Sequence, residues 1–159
     1  MLGLAAFGGA GKKPVAAPKL VITPGMKAAE QALDAGTYAL ATRLYAAQVE
    51  AELLEPTPSW VQLSYLYNAL GFTLDKAAQY AKALENYRKS LAIRLKQLGP
   101  GHPSVATSYN NMAGVYYAKK DLAKAKEYWE KDYAICLKKL GPNHPNTKAT
   151  KAQLDKMNK

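Results

Sequence analysis

Shifted by 42 residues, from position 99 to 141, the sequence falls on itself, and nothing else limits its folding as much. Gly99, Pro100, His102 and Pro103 return as Gly141, Pro142, His144 and Pro145. The same step aligns Tyr67 with Tyr109, Asn68 with Asn110, Leu70 with Met112, Ala83 with Ala125, Tyr87 with Trp129 and Ile93 with Ile135. One step further back pairs Tyr38 with Tyr80, Ala41 with Ala83 and Tyr45 with Tyr87. A unit of this length is one supersecondary element that cannot cover its own apolar face, so successive units must stack into an elongated array.

Each unit reads as two helices. Tyr109, Met112, Ala113 and Tyr116 fall at i, i+3, i+4 and i+7, one stripe of a helix of about 3.6 residues per turn. After a polar break at Lys119, Lys120 and Asp121, the next stripe is Ala125, Trp129, Tyr133, Cys136 and Leu140, stopped by Gly141 and Pro142. The unit before it repeats the plan with Tyr67, Leu70, Gly71 and Leu74, then Ala83, Tyr87, Leu91 and Leu98. In the first unit the expected helices are Met26 to Ala35 and Tyr38 to Leu54, and a last helix is expected from about Asn146 to Met157. Ala41, Ala83 and Ala125, with Gly71 and Ala113, are small enough to let paired helices approach closely, while Tyr45, Tyr87 and Trp129 fill the wedge beside them.

Composition excludes several other classes. With 159 residues, 48% of them hydrophobic, and one Cys, the chain is neither disordered nor a disulfide scaffold. No apolar run approaches the roughly 20 residues a membrane-crossing helix needs. Up to Pro58 five basic residues cancel five acidic ones, so the later part, with 17 basic and 7 acidic residues, supplies the whole formal charge of +10. Lys119, Lys120, Lys124, Lys138 and Lys139 form a candidate basic surface there. Such a surface attracts acidic proteins, anionic membranes or RNA, although a solvated lysine face is the plainer reading. The segment Met1 to Thr23 reads as an N-terminal arm, free or ordered by a partner, with its lysines placed after the apolar start, the reverse of a secretory signal.

Chemistry has few candidates. The two His-Pro pairs stand in identical turns one period apart, so they read as structural copies rather than ligands or catalysts. Cys136 lies on an apolar stripe, where a thiol acts as a small hydrophobe. Gly8, Gly9 and Gly11 lack the strand and helix that would make a phosphate loop of them. The expectation is no enzyme, no metal and no cofactor.

The spacing Tyr109, Met112-Ala113, Tyr116, Ala125, Trp129 resembles the tetratricopeptide repeat, and the period with LGPGHPSVATSYNNMAGVYY resembles its kinesin light chain variety. The resemblance implies an all-α, right-handed superhelix of three helix-turn-helix repeats, at about 24–58, 59–100 and 101–142, and a capping helix in 143–159. Asp132 departs from the small residue usual at its position in the family. The first helices would line a concave wall, where the resemblance suggests that Asn68, Asn110 and Asn111 face a partner, with Tyr65, Phe72, Thr107, Gly114 and Tyr117 as neighbours. An amide donates and accepts at once, so it can pair with the backbone of an extended ligand whatever that ligand's sequence. The alternative for these amides is to bridge adjacent repeats. Family members that clasp a C-terminal carboxylate resemble one another in a groove lysine where Asn68 and Asn110 stand here, so that subclass is not expected.

Function is then expected to be a non-catalytic protein interaction scaffold, an adaptor or small accessory subunit. Its partner would be an extended peptide or helix in the groove. An acidic protein surface or a peripheral membrane contact is a further candidate, and an organellar membrane-associated complex, in chloroplast or mitochondrion, is one setting beside the cytoplasm. RNA or ribosome binding through the basic second half is the second reading. It is the weaker because the charges are mostly Lys, with only Arg43, Arg88 and Arg94, whereas forked phosphate contacts favour Arg.

Overall fold

The computed structural model of the protein describes residues 18–157, and among these it contains helices and no strand. The helices are α1 (Pro24–Asp34), α2 (Tyr38–Leu53), α3 (Trp60–Lys76), α4 (Tyr80–Leu98), α5 (Pro103–Ala118), α6 (Leu122–Leu140) and α7 (Pro145–Met157). Consecutive helices pack on one another, and α3 also touches α5, so three hairpins and a final half-unit stack in chain order. This is the all-α superhelix of helical repeats that the period implies.

Backbone conformation repeats with the sequence. Within the hairpins the turns carry left-handed residues at Gly36, Ala78 and Lys120, with φ of 71°, 55° and 63°, each one period from the last. Between hairpins Gly99 and Gly141 take φ of 80° and 86°. Glycine adopts this region freely, whereas a residue with a Cβ pays roughly 1–2 kcal/mol there, so packing on both sides must hold Ala78 and Lys120 in place.

Helix starts are equally regular. The side chains of Thr23, Ser59 and Asp121 accept from the backbone N–H of Met26, Gln62 and Lys124 at 3.1, 3.3 and 3.2 Å. The repeated histidines do the same work: His102 Nδ1 accepts from the Ser104 N–H at 3.1 Å, and His144 Nδ1 from the Asn146 N–H at 3.2 Å. A proline follows each, at the helical position whose N–H would be unpaired anyway. The His-Pro pair is thus a device for starting a helix. It also begins α7 at Pro145, just ahead of the expected Asn146, as the Thr23 cap begins α1 at Pro24 rather than Met26.

One core runs through the stack, through Met26, Tyr45, Leu66, Leu70, Tyr87, Met112, Val115, Tyr116 and Trp129. Burying a large apolar side chain stabilises by about 1.5–3 kcal/mol, so the repetition of this stripe carries the fold. Ala41, Ala83 and Ala125 are fully buried. At Gly71 an added Cβ would lie 2.8 Å from the Tyr87 ring, which explains why the crossing of α3 and α4 needs glycine.

Of the arm expected over residues 1–23, residues 1–17 lie outside the described residues. Residues 18–23 precede α1 without regular structure. The Gln62 amide grips Val21 at two points, its Oε1 accepting from the Val21 N–H at 3.0 Å and its Nε2 donating to the Val21 carbonyl at 2.8 Å.

Candidate functional site

The first helices α3 and α5 carry the residues expected to face a partner. Phe72 and Tyr117 are 39% and 48% exposed, large apolar rings left in solvent. The Lys76 ammonium sits 5.1 Å from the Phe72 ring centre and the Lys120 ammonium 5.9 Å from that of Tyr117. Gly114 stands one period after Phe72, and a Cβ added there would meet nothing within 4 Å. An open floor on α5 therefore corresponds to the exposed ring on α3. Thr107 is exposed, its hydroxyl donating to the Pro103 carbonyl at 3.2 Å. Tyr65 is half-buried and its hydroxyl donates to Glu30 on α1 at 2.8 Å. Burial, then this carboxylate, push its pKa above the ordinary tyrosine value, so it stays a neutral donor.

The three asparagines divide. Asn111 Nδ2 donates to Asn68 Oδ1 at 3.0 Å, which ties α5 to α3 and uses both side chains as a bridge between repeats. Asn110 is exposed, and its Oδ1 accepts from the indole N–H of Trp129 at 3.0 Å. The reason lies one period upstream: where α6 has Trp129, α4 has Tyr87, which has no indole N–H to offer. Asn68 consequently keeps its oxygen for Asn111, while Asn110 is held by its own hairpin.

A further polar group, outside the expected set, lies between α5, α6 and α7. Asp132 is 3% exposed. Its Oδ2 accepts from the Thr150 hydroxyl on α7 at 2.5 Å and its Oδ1 from the Cys136 thiol at 3.2 Å. Burial raises the pKa of its carboxyl, and the Thr150 and Cys136 hydrogen bonds oppose that rise. The Cys136 thiol, itself buried and facing this carboxylate, is pushed up to about 12 and is held protonated. Above the carboxylate opens a cleft of about 330 Å³, lined also by Thr107, Asn110, Asn146, Ala149 and Gln153. The family departure at Asp132 was the available signal. Aligning Ser90 with Asp132 and Arg94 with Cys136 would have exposed its charge.

The candidate basic residues form two groups. Lys119, Lys120 and Lys124 gather at the turn from α5 to α6, and Lys138 and Lys139 stand in the last turn of α6, roughly 20 Å away by helical rise. Lys124 lies 5.2 Å from the Tyr116 ring centre and 3.5 Å from Asp121, so part of this charge rests on the protein's own surface. Lys138 and Lys139 complement the carbonyl end of α6. Among the described residues no cluster of His, Cys, Asp or Glu could hold a metal, and no helix is long and apolar enough to cross a membrane.

Comparison with known proteins agrees with this geometry. Residues 62–131 and 104–154 match the family model described as tetratricopeptide repeat. The fold is similar to the crystal structure of BtubC (BKLC) from P. vanneervenii, at 19% identity and a TM-score of 0.72, over 81% of this chain and 51% of that one. It is similar too to a kinesin light chain candidate of Podosopora anserina with nearly identical TPR-like repeats, at 25% identity and a TM-score of 0.71, over 84% of this chain and 63% of that one. A singly substituted form of that protein matches equally. The chain thus spans between about half and three fifths of these relatives' lengths. No curated protein matches it.

Proposed function

Because this chain belongs to the tetratricopeptide repeat family, in its kinesin light chain form, we propose that it holds an extended peptide or a helix of a partner protein along α3 and α5. Tetratricopeptide repeats are protein interaction scaffolds, and this fold is typically not catalytic. The finer reading is an adaptor or small accessory subunit of a larger assembly.

One observation carries it: Phe72 and Tyr117 remain exposed on the same helices as Thr107, Asn110 and the open position at Gly114. An exposed ring on helices that also carry exposed polar side chains is the composition of a binding surface rather than of a solvated face. Lysines over both rings favour a partner with acidic residues flanking its apolar anchor.

The test is capture of partners from native extract by the wild-type chain and by Phe72→Ala/Tyr117→Ala. Both side chains are exposed, so the double variant should fold normally. Loss of at least tenfold in captured partner, with weak dependence on salt, is the expected result. Retention by the double variant together with a log-log salt slope of several units would overturn it in favour of RNA.

A further inference from the structure

Of the three junctions between successive units, the two later ones are homologous, one between α3, α4 and α5 and one between α5, α6 and α7. The period matches them residue by residue: Ser90 with Asp132, Arg94 with Cys136, Ser104 with Asn146, Ser108 with Thr150 and Asn111 with Gln153. In the first, the Arg94 side chain reaches across, its Nη1 donating to the Ser104 carbonyl and to Ser108 Oγ, both at 2.9 Å. That guanidinium is largely withdrawn from water. In the second, the arginine position is Cys136, too short to reach, and the space is the cleft over Asp132.

Charge follows the same exchange. The first junction holds a cation among neutral oxygens, and the second a buried carboxylate whose partners among the described residues, Thr150 and Cys136, are neutral donors. Glu85, Asp121, Glu127 and Asp155, by contrast, meet lysines on open helix faces. A carboxylate out of water without a cation is unfavourable, so a cation entering the cleft would be held strongly.

We infer that the cleft over Asp132 is a subsite for an arginine side chain of the bound partner, which takes the place that Arg94 occupies one repeat upstream. A guanidinium suits it better than an ammonium, because its planar fork can spread several N–H donors over the Asp132 carboxylate and the amide oxygens of Asn146 and Gln153. The exposed position of Ala149 at the rim, where the upstream repeat has Thr107, leaves the way in unobstructed. This inference rests on the groove reading above and adds to it one chemical requirement on the partner.

The experiment is a two-dimensional NMR titration of the isotope-labelled full chain with N-acetyl-arginine methylamide, and with the citrulline analogue, which has nearly the same shape and no charge. Expected are shifts confined to residues 107–110, 132–136 and 146–153 with arginine, and at least tenfold weaker binding of citrulline. Asp132→Asn should abolish the response. Since that variant could loosen α7, Ala149→Tyr serves as the second: it blocks the cleft from an exposed site and leaves the Asp132–Thr150 hydrogen bond in place, and it too should abolish the response. Equal response to both probes, shifts elsewhere, or binding that survives in either variant would overturn the inference. Those results would leave partner capture by Phe72 and Tyr117 untouched, so the two readings fail separately.

Discussion

The two later junctions of the stack share a backbone plan and differ in what their polar groups have found. Between α3 and α5 the Asn111–Asn68 bridge and the reach of Arg94 close the wall. Between α5 and α7 the Trp129 indole has taken the Asn110 oxygen, Cys136 replaces the arginine, and a carboxylate lies beneath an open cleft. A period of 42 residues, the step from 99 to 141, thus repeats the apolar scaffold faithfully while two or three polar positions make one junction structural and its neighbour receptive.

The strongest way to break this comparison is Trp129→Ala. Trp129 is 5% exposed and both fills the second junction and anchors Asn110, so its removal should cost about 3–5 kcal/mol in denaturant unfolding. A nearly neutral result would mean that the indole does not hold that junction together. A gentler change sharpens it: Cys136→Arg copies the upstream register and should place a guanidinium beside Asp132. The expected gain is about 1 kcal/mol, as for a hydrogen-bonded charge, and a double-mutant cycle with Asp132→Asn should erase it. A gain that survives Asp132→Asn would reflect packing alone.

The smallest expected effect is in pH. Because the Asp132 carboxyl titrates above its ordinary value, the folded chain holds that proton more tightly than the unfolded one. The stability it contributes is therefore complete below the ordinary Asp value of about 3.9 and is lost as pH rises through the raised value. Thermal melts of the wild type and Asp132→Asn should show a difference that shifts in favour of the variant over that interval. A difference independent of pH would contradict the raised titration.

Most of the architecture was legible in the sequence. The ends of α4 and α6 followed from Gly99-Pro100 and Gly141-Pro142, and the core from small and large residues alternating at the repeat step, because burial on a helix face is a local periodic property. The candidate site was readable only in part. Phe72, Thr107 and Tyr117 could be placed on first-helix faces by spacing, but whether Asn68 faced a ligand or Asn111 depended on which residue stood on the second helix opposite. Asp132 was visible as an odd residue late in α6, yet its partner Thr150 lies 18 positions on, across a turn, on a different helix.

Sequence alone determined that this chain is a stack of helical hairpins, since the apolar repeat admits no other way to bury its stripes. Tertiary structure decided which polar side chains pair with each other and which are left facing an open cleft. That division has a physical cause: burial is summed along one helix and tolerates small changes, whereas a hydrogen bond requires two particular atoms to meet at about 3 Å, and in this stack they usually come from different helices.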